Sequence, residues 1–186
     1  MKKVVKFGGS SLASAEQFMK VGAIIRADES RRYVVPSAPG KRFSDDTKVT
    51  DMLYHCYELA EQSKAFNKQL NQIKDRYNEI IYGLKLDLSL DEDFEIIKKQ
   101  FVAKAGSMYA ASRGEYLNGK IMAKYLGYEF VDAANVIRFD KDGSFDSETT
   151  NELLATYLDK IERAVIPGFY GCLLYTSPSP RDISGS

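Results

Sequence analysis

The chain has 186 residues, the length of one domain by the usual span of about 100–200 residues. Hydrophobic residues make up 44% and charged residues 28%, a globular balance that excludes a disordered or fibrous polymer. Lys plus Arg and Asp plus Glu each number 26, so the formal net charge is zero and no bulk field favours nucleic acid or an anionic membrane as partner.

Residues 3–7 form a short β-prone run that stops at Gly8-Gly9, and Ser10-Ser11 precede a helix expected over about 12–27. A second β-prone run, 32–35, is broken by Pro36 and followed by the turn-rich Ser37-Ala38-Pro39-Gly40-Lys41. The economical reading is a β-α-β unit with parallel strands. From Thr47, the positions Val49, Met52, Leu53, Cys56 and Ala60 follow a helical period. Phe66, Leu70, Ile73, Tyr77, Ile80, Ile81 and Leu84 mark one face of a longer helix, and its polar, charged segment 64–84 is a candidate lid. Phe94, Ile97 and Phe101 predict another helix, and Leu117, Ile121 and Tyr125 one that ends at Gly127. Residues 128–131 and 136–139 read as short strands, Asp142-Gly143 as a turn, 147–160 as a helix and 163–167 as a buried strand ending at Gly168.

Alternating strands and helices predict an α/β fold, a three-layer αβα sandwich around a mostly parallel sheet that binds ligands at the carboxyl ends of its strands. No apolar run approaches the roughly 18–20 residues of a membrane helix, and the charged start Met1-Lys2-Lys3 to Lys6 is no secretion signal, so a cytoplasmic setting is expected. Cys56 and Cys172 lack a CxxC spacing and His55 is the single histidine, which argues against zinc, a disulfide scaffold and histidine-based nucleophilic chemistry. No side-chain metal site is expected. His55 and Cys56 read as packing residues. After Gly171 the composition changes: residues 172–186 carry two prolines and no period, which suits a flexible tail. The segment also resembles the in-frame translation of a transposase adapter, which would place it outside the fold.

Three clusters carry chemistry. Lys6-Phe7-Gly8-Gly9-Ser10-Ser11 joins a strand to a helix; its glycines let backbone approach an anion, the helix start supplies N–H groups, and Lys6 adds a cation. A tight structural turn needs the same glycines. It is neither GxGxxG nor a Walker A loop. Ser37 to Lys41, leading to Lys48-Val49-Thr50-Asp51, places small hydroxyl residues at a strand end, although turns favour Ser, Pro and Gly on conformational grounds alone. Ser112-Arg113-Gly114-Glu115 is expected near the start of a helix, where Glu115 either pairs with a substrate ammonium or simply stabilises the first turn.

In this order the blocks Lys6 to Ser11, Val34 to Lys41, Lys48 to Asp51 and Ser112 to Lys120 resemble the aspartokinases, over residues 1–171. The resemblance implies an amino-acid kinase (carbamate-kinase-like) fold, and transfer of the ATP γ-phosphoryl group to the side-chain carboxylate of L-aspartate on the route to lysine, threonine and methionine. It implies that Lys6 is catalytic, that Lys6, Phe7, Gly8, Gly9 and Ser10 hold the ATP phosphates, and that Ser37, Thr50 and Glu115 hold aspartate. Mg2+ would accompany ATP, and full-length relatives would be homo-oligomers. An aspartokinase also continues past Gly171 into a segment bearing an arginine and an acid, then the adenine pocket and ACT domains. The chain is therefore expected to be the aspartate-side half of a catalytic domain, with the non-catalytic fragment as the alternative. A sister kinase acting on another carboxylate is disfavoured by the first and last blocks. Loss of a neighbouring strand would leave 162–168 as an unpaired edge, with poor solubility.

Overall fold

The computed structural model describes residues 2–140 and 142–169, and the expectations about residues 172–186 lie outside them. The first run forms β1 (Lys3–Phe7), and β2 (Arg31–Pro36) lies parallel to it, with Val5 opposite Val34 and Phe7 opposite Pro36. Between them run a 3-10 turn (Gly9–Leu12) and α1 (Ala15–Arg26). The expected single helix over 12–27 is thus divided. Ser14 takes an extended backbone and its Oγ accepts the Gln17 N–H at 3.4 Å, so the cap sits after the 3-10 turn.

Four more helices come next: α2 (Val49–Glu61), α3 (Asn67–Gly83), α4 (Asp91–Val102) and α5 (Ser107–Leu126). The last begins at Ser107, ahead of the Ser112 to Glu115 block expected near its start, so Glu115 is in its ninth position and the first-turn explanation for this acid falls away. α3 is no detached flap. Ile73 and Tyr77 are fully buried in the main core, and the Tyr77 hydroxyl donates to the Gly114 carbonyl at 2.7 Å.

The chain continues through β3 (Glu129–Phe130), α6 (Ala133–Val136), α7 (Ser147–Leu158) and β4 (Ala164–Val165). No strand covers 136–139. Val136 ends α6, the Arg138 N–H donates to Thr150 Oγ1 at 2.9 Å, and Phe139 makes only an isolated antiparallel bridge to Phe145. A β-prone tetrapeptide whose amide is satisfied by a helix side chain has no reason to join the sheet.

Among the described residues the four strands are all parallel, in the order β1-β2-β4-β3. The expected exposed edge at 162–168 is therefore wrong: β4 lies inside, bonded to β2 on one flank and β3 on the other. β1 is an outer strand of the described sheet, and its Val4 is 67% exposed. Side chains alternate across the sheet as strand geometry requires. Val34 and Val165 enter a core built by α1 to α5, while Tyr33 and Ala164 enter a smaller cluster completed by Val136 of α6 and Leu154 and Leu158 of α7. These are the three layers. Among the described residues, no helix is long and apolar enough to cross a membrane.

Candidate functional site

A pocket of about 350 Å³ opens at the carboxyl ends of β1 and β2, where a parallel sheet presents ligands to its loops. Gly9 and Ser10 supply one wall, the loop from Ser37 to Lys41 another, and Lys48, Thr50 and Glu115 the rest. Five of the sequence-derived site residues, Gly9, Ser10, Ser37, Thr50 and Glu115, therefore meet around one space. Lys6, Phe7 and Gly8 are not among its lining. Lys6 is exposed near the end of β1, and Phe7 packs its ring on the main core, leaving only backbone for the pocket side.

Two backbone crossings set the pocket's shape. The Ser37 N–H donates to the Phe7 carbonyl at 3.0 Å and the Gly40 N–H to the Gly9 carbonyl at 2.8 Å, so the two loops are laced together. Here glycine is required on steric grounds: a Cβ on Gly9 would fall 2.7 Å from the Ala38 carbonyl oxygen, and one on Gly40 only 2.6 Å from the Gly9 carbonyl carbon. These glycines therefore have a packing duty whatever else they do. The Asn118 Nδ2 donates to the Ser37 carbonyl at 2.7 Å from the fully buried face of α5. Gly114 lets the same helix press close, since a Cβ there would meet the Ala38 Cβ at 2.8 Å.

The expected anchoring of phosphate at a helix start needs revision. Gly8-Gly9 lead into the four-residue 3-10 turn, closed by Ser11 N–H to the Gly8 carbonyl at 3.1 Å, and α1 begins only at Ala15. Its macrodipole is one turn removed, so an anion at the glycines would rely on local N–H groups, hydroxyls and lysines.

Charge is distributed unevenly around the pocket. Lys41 and Lys48 are exposed at its rim, while Glu115 places its carboxylate beneath the end of β4, where a Cβ on Gly168 would come within 3.1 Å of Oε2. Burial raises the Tyr77 hydroxyl well above its usual pKa; the Glu115 charge adds to this effect and Arg76 opposes it. A cation-lined rim and an acid deeper in suit a ligand with an anionic group at one end and an ammonium at the other. Lys41 and Lys48 are pocket residues to which sequence reasoning assigns no role, although both stand in its blocks; the available signal is a pair of lysines flanking the predicted loop.

His55 is exposed beside Glu58 at 3.8 Å, and Cys56 is fully buried, its thiol pushed up to about 12 by burial. Both are packing or surface residues outside this pocket. A larger cavity of about 500 Å³ lies between the 42–47 loop, α2 and α3, and its lining includes Arg42, Asp46, Arg76 and Glu79, which pair with one another. Among the described residues, no group of three or more His, Cys, Asp or Glu could hold a metal ion.

Comparison with known proteins decides the family. The model of the amino acid kinase family matches residues 1–177. The chain belongs to the amino acid kinase family. Within this family it is 34% identical to aspartokinase 3 of Bacillus subtilis over 203 aligned residues, covering 99% of this chain and 45% of the relative. The crystal structure of Clostridium acetobutylicum aspartate kinase, an allosteric enzyme, superposes with a TM-score of 0.88 at 49% identity, over 92% of this chain and 40% of that one. E. coli aspartokinase III, solved in complex with aspartate and ADP, shares the fold with a TM-score of 0.71 at 20% identity, over 90% of this chain and 40% of that one. The chain thus spans about half the length of the curated relative it matches.

Proposed function

We propose that this chain is the aspartate-side part of an aspartokinase catalytic domain, acting in ATP-dependent conversion of L-aspartate to 4-phospho-L-aspartate. The observation that carries the reading is the single pocket joining the glycine turn to Ser37, Thr50 and Glu115 at the strand ends. The likeness to an aspartate kinase at 49% identity supports it. In the reaction a side-chain carboxylate oxygen of aspartate attacks the γ-phosphorus of ATP. The bond from that phosphorus to the β-phosphate oxygen breaks, and ADP leaves. A carboxylate is already ionised at neutral pH, so no general base is needed, and catalysis reduces to positioning and charge stabilisation.

Lys6 neutralises charge on the transferring group. Gly8, Gly9, Ser10 and the Phe7 backbone line the phosphate path, Glu115 takes the aspartate ammonium, and Ser37 and Thr50 orient the remainder. Any Mg2+ accompanying the nucleotide would be held mostly by the nucleotide's phosphate oxygens and water, since carboxylate clusters that could hold a metal ion are absent among the described residues, and would supply charge neutralisation. In the full-length gene product, Lys6→Ala and Glu115→Ala are each expected to lower kcat/KM by about 100-fold or more in a hydroxamate assay for acyl phosphate. Wild-type activity in either variant would remove that residue's role.

The second reading is a non-catalytic fragment that binds aspartate or phosphate weakly. It is favoured by the pocket lining, in which the described residues supply Glu115 as the one acid and no arginine for an α-carboxylate. Hydroxamate formed by the 186-residue chain from ATP and aspartate, and lost with Lys6→Ala, would overturn it.

A further inference from the structure

Arg76 occupies a position on α3 where the helical stripe of Ile73, Tyr77 and Ile80 leads one to expect an apolar residue, and its side chain is 5% exposed. A buried guanidinium is costly unless its N–H groups are partnered. Every hydrogen-bond partner it has among the described residues lies in one loop. Nη2 donates to the Gly40 carbonyl at 3.0 Å, and Nη1 to Asp46 Oδ2 at 3.0 Å, Asp46 Oδ1 at 3.2 Å and the Thr47 carbonyl at 3.3 Å.

Gly40 passes the restraint on, because its own N–H holds the Gly9 carbonyl. From the outer side, Arg42 closes the same loop on Asp46, with Nε to Oδ2 at 2.9 Å, and reaches Glu79 one turn further along α3 at 2.8 Å. This bonding holds the Asp46 carboxyl well below the usual carboxylate range, so it stays ionised. The clamped loop carries Lys41, leads into Lys48 and Thr50, and is bonded through Gly40 to the Gly9 turn beside it in the wall of the smaller pocket, whose lining does not include Arg76.

We propose that Arg76 is a positioning residue that fixes the 40–47 loop to α3, and so sets the spacing between the Gly9 turn and Lys41, Lys48 and Thr50 across the pocket. A planar guanidinium bonds Gly40 and Asp46 in two directions at once, which a lysine ammonium on a flexible stem does not reproduce. The kinetic consequence rests on the aspartate kinase reading; the clamp itself does not.

The test takes Arg76→Lys in two measurements, with Asp46→Asn as the second variant should the first fail to fold. In the 186-residue chain, hydrogen exchange followed by mass spectrometry is expected to speed up at least tenfold in peptides covering 40–48, while the 70–81 core peptide keeps its protection. In the full-length gene product, the KM for aspartate is expected to rise about tenfold with kcat within threefold of wild type. Unchanged exchange at 40–48 overturns the clamp. Faster exchange with an unchanged KM and a lower kcat overturns the positioning role, since loss of folded enzyme alone gives that pattern. A wild type that exchanges as expected but phosphorylates no aspartate removes the function reading and leaves the clamp standing.

Discussion

Among the described residues, one face of the sheet is covered by α1 to α5 and the other by α6 and α7, and the two faces differ in what they do. The first face holds the continuous core, with Val34, Leu53, Ile73, Tyr77, Phe101 and Ile121 all fully buried. It also delivers the pocket: Thr50 comes from α2, Glu115 from α5, and the loop clamp from α3. The second face has a small cluster around Tyr33, Val131, Val136 and Ala164, and at β1 it leaves Val4 in solvent. Stability and pocket geometry thus come from the same side, because helices that must hold polar groups at fixed distances need a close-packed support.

The comparison breaks most readily by truncation. Ile73→Ala, in the thick core, is expected to cost about 2–5 kcal/mol in denaturant unfolding, from lost burial and the cavity left behind. Leu154→Ala, half-buried on α7, is expected to cost less than half as much. Equal losses would mean that the thin face carries as much stability as the thick one.

Cys56 sharpens the same contrast through pH. Its thiol is pushed up to about 12 when folded, whereas an unfolded thiol ionises from about pH 8.5. The folded pKa is the higher, so this contribution is complete below about pH 8.5 and is lost progressively as pH rises toward 12. Thermal melts across pH 8–10.5 are expected to show Tm falling more steeply for wild type than for Cys56→Ala. Parallel slopes would show that the thiol is not in a dry core.

The smallest effect is expected at the uncovered edge. Val4→Thr, at a site 67% exposed, is expected to change stability by about 0.5 kcal/mol or less while lowering self-association in light scattering. A larger loss of stability would mean that Val4 is covered in solution.

Much of this division is legible in the sequence. The runs at 3–7 and 32–35 read as strands because β-branched residues end in Gly8-Gly9 and Pro36, and the α3 stripe reads as a core helix because its period admits one buried face. The failures are of another kind. The 136–139 segment has strand-like residues, yet Thr150, twelve positions away, takes the Arg138 amide. Sequence also leads to an edge at 162–168, where the chain instead runs between two strands. Arg76 is hidden within a stripe of apolar neighbours, although a charge in that row is itself the signal of a buried partner.

The sequence by itself determined most of the local elements, the order of the four motif blocks and hence the family. These depend on periodicity, turn chemistry and residue identity within a few positions. Only the tertiary structure decided strand order, the division of α1 from the glycine turn, the meeting of Gly9, Ser37, Thr50 and Glu115 around one pocket, and the clamp from Arg76 to Gly40. Those features join residues tens of positions apart through backbone hydrogen bonds, close glycine contacts and a buried ion pair. Distance and burial fix such interactions, and neither is written in the local pattern of the chain.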